Sequence, residues 1–167
     1  INKAQTHIWL ATPYFLPSWK IRRALRRAAR RGVDVRLLLA GPDTDHPTVR
    51  QASQRFYYNL LRHGVRIFEY QPGFNHAKAY LCDHWCSIGS SNLDRWHMAW
   101  NLEGNQEIVA SDFVNQLRQQ LLANLKLSQE IHLEQWRQRP WHRRLLERFW
   151  GWVDQLLSRL IHRWPKR

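Results

Sequence analysis

Apolar runs and helical stripes alternate along the first 70 residues. "THIWLATPYFLP" is nearly continuous in apolar residues and ends in a proline turn, the pattern of a buried strand. In the next segment, "WKIRRALRRAARRG", Ser18 stands at the N-cap position and Gly32 supplies the stop. Ile21, Leu25 and Ala28 form its apolar stripe, and the arginines lie outside it. "VDVRLLLAGP" predicts a second strand, followed by the polar loop "GPDTDHP". "TVRQASQRFYYNLLRHG" predicts one further helix stopped by Gly64, and "VRIFEY" a third strand. This order predicts an α/β layer with a mixed, largely parallel sheet flanked by helices.

After residue 75 the rhythm changes. "HAKAYLCD" and "WCSIGSS" are strand-like and about two residues apart, which predicts a tight hairpin. "NQEIVA" is a short strand, and "DFVNQLRQQLLANLK" a helix capped by Ser111 or Asp112. The compact domain is expected over residues 1–128, with a basic, Trp-rich amphipathic helical tail over 129–167. From Trp136 to Arg167 there are nine basic residues and two acidic ones, net +7, and half of the chain's ten tryptophans. Trp141, Leu145, Phe149, Trp152, Leu156 and Leu160 recur at steps of three and four, while Arg143, Arg144, Arg148, Arg159 and Arg163 fall mostly opposite. Such a helix suits the plane of an anionic bilayer.

The chain of 167 residues suits one domain with an appendage. Its net charge of +13, mostly from arginine, favours anionic partners: nucleic acid, an acidic membrane surface or phosphorylated substrates. Charge alone does not choose among them. Cys82 and Cys86 make no disulfide framework. With His84 they lack the second half-site of a zinc centre, so no metal is expected. No apolar run approaches the roughly 20 residues of a membrane span. The chain opens on Ile1 without an initiator methionine, and Met98 is its one methionine. It is therefore expected to be a piece of a longer protein.

The candidate chemistry lies in "HAKAYLCDHWCSIGSSNLD", residues 76–94. On extended backbone, residues two apart face the same side, so His76 and Lys78 point into one space. An imidazole can act as nucleophile or proton carrier near neutral pH. An ammonium beside it would neutralise charge on a transferred phosphoryl group. The Gly-Ser-Ser-Asn turn adds backbone N–H groups, the Ser90 hydroxyl and the Asn92 amide. Each piece alone is ordinary; together they form a set fit to hold and attack a tetrahedral anion.

The stretch resembles the HxKxxxxD motif of the phospholipase D superfamily and its GSxN element. His76, Lys78 and Asp83 match the first; Gly89, Ser90 and Asn92 match the second. Together with "ATPYFLP", "RAARRGVDVRLLLAG" and "NLEGNQEI", the chain is similar over residues 4–127 to the C-terminal half of bacterial cardiolipin synthases. Five residues, "HWCSI", separate Asp83 from Gly89 where that family usually has six, which is expected to shorten the hairpin and could shift Ser90 and Asn92. The resemblance implies a phosphatidyltransferase that makes cardiolipin from phosphatidylglycerol through a phosphohistidine intermediate, with His76 as the nucleophile or its acid/base partner. It implies phosphate binding by Lys78, Ser90 and Asn92, and a histidine-orienting carboxylate at Glu103. Asp83 belongs to the catalytic motif but falls on the opposite strand face, so support rather than phosphate contact is expected of it. No cofactor is implied.

The family uses two such motifs, one histidine attacking while the other protonates the leaving alcohol. The second is expected from a missing N-terminal half, or from a second copy in a homodimer. The partners implied are anionic phospholipid and a membrane surface, on the inner face of the bacterial cell membrane. A homodimeric nuclease of the same superfamily is the alternative, and a catalytically degenerate membrane-binding module the weaker one.

Overall fold

The computed structural model describes residues 1–94 and 102–140, together with Leu145, Phe149 and Trp152. A seven-stranded sheet forms the middle layer. β1 (His7–Thr12), β3 (Asp34–Ala40) and β4 (Arg66–Tyr70) run parallel in that order. The other flank of β1 carries an antiparallel meander of β5 (Ala79–Cys82), β6 (Trp85–Gly89) and β8 (Asn105–Ile108). β9 (Ser128–Ile131) closes the far side antiparallel to β4, giving the order β8-β6-β5-β1-β3-β4-β9. A short parallel pair, β2 (Phe15–Leu16) with β7 (Leu93–Asp94), lies apart.

The sheet is mixed as expected, but its parallel part is confined to the three strands β1, β3 and β4. β4 leads into β5 through an extended stretch with no crossover helix. β5 and β6 are joined by the two residues Asp83 and His84, and a connection that short permits only antiparallel pairing.

Both sheet faces are covered, which explains the unbroken apolar runs. On one face Ile8, Leu10, Leu37 and Ile67 pack with Leu25 and Ala28 of α1 (Trp19–Arg30) and with Tyr57 and Leu60 of α3 (Tyr57–Leu61). On the other face Trp9, Ala11, Leu38 and Leu81 meet Val114, Leu121 and Leu125 of α4 (Ser111–Lys126). Ser18 caps α1 by accepting from the Ile21 N–H. Gly32 and Gly64 follow α1 and α3 with φ of +90° and +86°, a conformation that costs glycine little.

Three expectations need correction. The segment after "GPDTDHP" makes two helices, α2 (Pro47–Gln54) and α3, rather than one. Between them the Phe56 N–H bonds to the Ser53 carbonyl at 3.0 Å, a tighter 3₁₀-type link that breaks the α ladder. The N-cap of α4 is Ala110, with no side-chain cap bond; Ser111 is already helical. The compact domain also runs past residue 128. β9 pairs with β4, tied by a two-pronged Arg66–Glu130 bridge with both contacts at 2.8 Å. Beyond it, α5 (Leu133–Arg137) inserts Trp136 into the core, its ring centroid 4.9 Å from that of Tyr57. Of the tail helix, Leu145, Phe149 and Trp152 are helical and exposed, and the rest of that prediction lies outside the described residues.

Candidate active site

The topology gathers one end of the sheet around a cleft. β1 and β3 are parallel, so their C-terminal ends lie together. β5 is antiparallel to β1 and begins there; β6 returns to that end, and β8 starts from it. Parallel strands present loops at their carboxyl ends, the usual place for ligands in α/β sheets. The cleft holds about 520 Å³ and is lined by Tyr14, His46, His76, Lys78, Gly89, Ser90, Asn92 and Glu103.

His76 and Lys78 lie on the extended stretch leading into β5. The Lys78 Nζ is 3.0 Å from both ring nitrogens of His76 and donates to the His76 carbonyl at 3.0 Å. Lys78 is buried, whereas His76 is exposed at the mouth. Burial lowers the Lys78 pKa, and the charges of Glu103 and Asp45 oppose that shift. The Phe74 and Tyr14 rings flank the imidazole, at 5.3 and 6.1 Å between centroids.

The Gly-Ser-Ser-Asn turn is held against the start of β8. Ser90 donates its N–H to the Gly104 carbonyl at 3.0 Å, and its Oγ accepts from the Gly104 N–H at 3.0 Å. The contact of that hydroxyl with the Gly104 carbonyl is long, 3.4 Å, so its proton is available to turn into the cleft. Gly89 permits this closeness: a Cβ there would stand 2.2 Å from the Gly104 carbonyl oxygen and the Asn105 Oδ1. Asn92 is buried, and its Oδ1 has no hydrogen-bond partner among the described residues. A buried amide oxygen left unmatched beside a cleft can accept from a ligand's donor, and the NH₂ of the same amide is the group able to donate to a phosphate oxygen. The hairpin with five residues between Asp83 and Gly89 therefore still brings Ser90 and Asn92 to His76 and Lys78.

Asp83 is elsewhere. It sits at the opposite end of β5, five residues beyond Lys78 and so roughly 16 Å away at about 3.3 Å per strand residue. Its φ of +51° makes the hairpin turn. Its carboxylate accepts from the Gln5, Thr6 and His7 N–H groups at 2.9–3.0 Å and from the Thr6 hydroxyl at 2.7 Å. Partial burial works against the charge, yet those donors hold the carboxyl well below the ordinary range. Asp83 thus fastens the hairpin to the start of β1 and does not touch the cleft. Asp83→Asn, which keeps a side chain that tolerates positive φ, should cost about 1–2 kcal/mol in urea unfolding. The stabilisation from a lowered carboxyl is complete above its unfolded value of about 3.9 and is lost as pH falls below it. The gap between variant and wild type should therefore be constant above pH ~5 and shrink below ~4.

Sequence reasoning missed Tyr14 and His46. Both follow buried parallel strands in loops, and that placement was the available signal. Cys82 is half-buried and Cys86 buried, flanking the turn, and burial raises both thiol pKa values. Among the described residues no group of three or more His, Cys, Asp or Glu side chains is placed to hold a metal.

A mixed sheet that brings His-x-Lys and Gly-Ser-x-Asn to one end defines a phospholipase D-like half-domain. Solved structures show the same fold. Nuc, a phospholipase D family member from Salmonella typhimurium, matches with a TM-score of 0.67 at 18% identity, covering 78% of this chain and 85% of that one. Phosphatidylserine synthase from Haemophilus influenzae matches with a TM-score of 0.65 at 13% identity, covering 95% and 41%. Residues 1–125 match the family described as cardiolipin synthase, PLD-like domain, and the chain belongs to that family. It is 39% identical over 158 residues to cardiolipin synthase 2 of Bacillus anthracis, covering 94% of this chain and 30% of that protein. It is 40% identical over 136 residues to cardiolipin synthase A of Pseudomonas syringae, covering 81% and 28%. The chain thus spans about 30% of the length of these curated relatives.

Proposed function

We propose that this domain supplies one of two half-sites of a cardiolipin synthase-like phosphatidyltransferase. The meeting of His76, Lys78, Ser90, Asn92 and Glu103 in one cleft, within a chain of this family, carries the reading. His76 attacks the phosphorus of phosphatidylglycerol, and the bond from phosphorus to the headgroup oxygen breaks. The departing glycerol takes a proton from the histidine of the second half-site. That histidine then accepts a proton from a hydroxyl of a second phosphatidylglycerol, whose oxygen attacks the phosphohistidine. The P–N bond breaks, cardiolipin leaves and His76 is regenerated.

Lys78 neutralises the phosphate oxygens, and its low-dielectric position strengthens that attraction. Ser90 and Asn92 offer neutral hydrogen bonds to the same oxygens, and Glu103 orients a motif histidine. Asp83 acts through the fold alone. Another part of a longer protein, or a second copy, brings the other histidine. The domain is peripheral on the inner face of the membrane, held there by the helix that presents Leu145, Phe149 and Trp152. Among the described residues no helix is long and apolar enough to cross a membrane.

The test uses phosphatidylglycerol labelled in its glycerol headgroup, with duplex DNA assayed in parallel. Release of one labelled glycerol per cardiolipin formed supports the reading. DNA cleavage without lipid transfer replaces it with the nuclease reading.

A further inference from the structure

We propose that Tyr14, Asp45 and His46 form the alcohol side of the cleft, a subsite for the hydroxyls of a glycerol group whose phosphate lies against His76 and Lys78. The inference deepens the transfer reading above and rests on it.

The cleft is divided chemically. One side carries the cationic Lys78, whose charge the Glu103 carboxylate partly balances, with Ser90 and Asn92. The facing wall comes from the loops after β1 and β3 and carries Tyr14 and His46. Beside them, Asp45 accepts the Tyr14 hydroxyl proton at 2.5 Å and stands 3.9 Å from the His46 Nε2. Burial works against the Asp45 charge, but the Tyr14 hydrogen bond and the neighbouring His46 hold its carboxyl below the ordinary value. A fixed carboxylate repels phosphate oxygens and accepts hydrogen bonds from hydroxyls. An imidazole next to it can donate or accept. Carboxylate, imidazole and phenol oxygen together suit a neutral polyol better than an anion.

The wall is held firmly yet stays reachable. The Tyr14 ring is buried and meets His46 and His76 edge-on, at 5.4 Å and 61° and at 6.1 Å and 74°. One aromatic side chain therefore spaces the two imidazoles across the cleft. His46 is followed directly by α2, which is anchored through Arg50 and Gln54 to the buried Glu69 of β4. The His46 side chain is 60% exposed, and it makes no capping bond to α2. Its imidazole has no hydrogen-bonding task in the fold among the described residues.

The experiment titrates the full chain with inorganic phosphate and with glycerol 1-phosphate, followed by calorimetry and backbone amide shifts. Wild type should bind glycerol 1-phosphate roughly tenfold more tightly, the size of one or two good hydrogen bonds. His46→Ala and Asp45→Asn should bring glycerol 1-phosphate to the level of phosphate. Phosphate binding itself should stay within about twofold in His46→Ala, and stay equal or tighten in Asp45→Asn, where a repelling charge is gone. Retained phosphate binding also reports that each variant is folded. Equal affinity of wild type for the two ligands overturns the subsite, as does a proportional loss of both ligands in the variants. If wild type binds neither ligand, the phosphate site of the transfer reading falls first and the subsite with it.

Discussion

On the transfer reading, His76→Ala should abolish cardiolipin formation in an enzyme assembled around this domain. No neighbouring group can replace the imidazole: Lys78 is buried, and the Ser90 hydroxyl, a far weaker nucleophile than an imidazole, already accepts from the Gly104 N–H. Loss of a covalent nucleophile elsewhere costs on the order of 10⁶ in kcat, and a similar collapse is expected here. Lys78→Ala should cost about 10²–10³, the usual worth of one donor aimed at developing charge. Both side chains line the cleft from the extended chain before β5, and the substitutions leave the backbone bond from the Gly89 N–H to the Lys78 carbonyl in place, so both variants should melt close to wild type. Labelled phosphatidylglycerol gives the rates and circular dichroism the melting. Near-normal turnover by His76→Ala would end the covalent mechanism.

The second large effect separates fold from tail. Cutting after Lys126 removes β9 and α5, and with them the β4 pairing, the Arg66–Glu130 bridge and Trp136. Loss of a buried tryptophan alone costs about 3–5 kcal/mol, against a total stability of about 5–15. That truncation should lose its cooperative unfolding transition. Cutting after Pro140 keeps every one of those contacts and should stay folded, while binding to anionic vesicles drops sharply. In the intact chain, salt should weaken vesicle binding, since the Debye length falls to about 3 Å at 1 M. It should not remove binding altogether, because Leu145, Phe149 and Trp152 bury apolar surface that salt does not screen. Melting curves and vesicle sedimentation read the two effects independently. A folded chain cut at Pro140 that binds vesicles as well as the intact one would remove the membrane role of the tail.

The alternating layers were legible because a sheet covered on both faces writes long apolar runs into its strands, and because Ser18, Gly32 and Gly64 punctuate the helices in the ordinary way. His76 and Lys78 were legible from a two-residue spacing on extended chain. The boundary at residue 128 was misplaced because three of the four residues of β9, "SQEI", are polar. An edge strand with one neighbour needs no apolar run, and Trp136 looked like part of the basic tail until it met Tyr57. Tyr14 and His46 were hidden for another reason. Their loops are distant in sequence from residues 76–92, and only the adjacency of β1, β3 and β5 brings them together. The same adjacency separates Asp83 from the cleft, although the motif places it five residues from Lys78.

The clasp between Asp83 and the first strand also sets a schedule for synthesis. Gln5 and its partner carboxylate are 78 residues apart. β1 is apolar, and it lies between β3, made soon after it, and β5, made much later. On the ribosome one long flank of β1 therefore stays open while more than forty residues beyond β3 are still being added. An open apolar strand is a template for wrong pairing. The hairpin that carries Asp83 covers that flank when it arrives, and the carboxylate ties the two ends together. Weakening the clasp should therefore show first as aggregation of newly made chains, at temperatures where the finished protein is still intact.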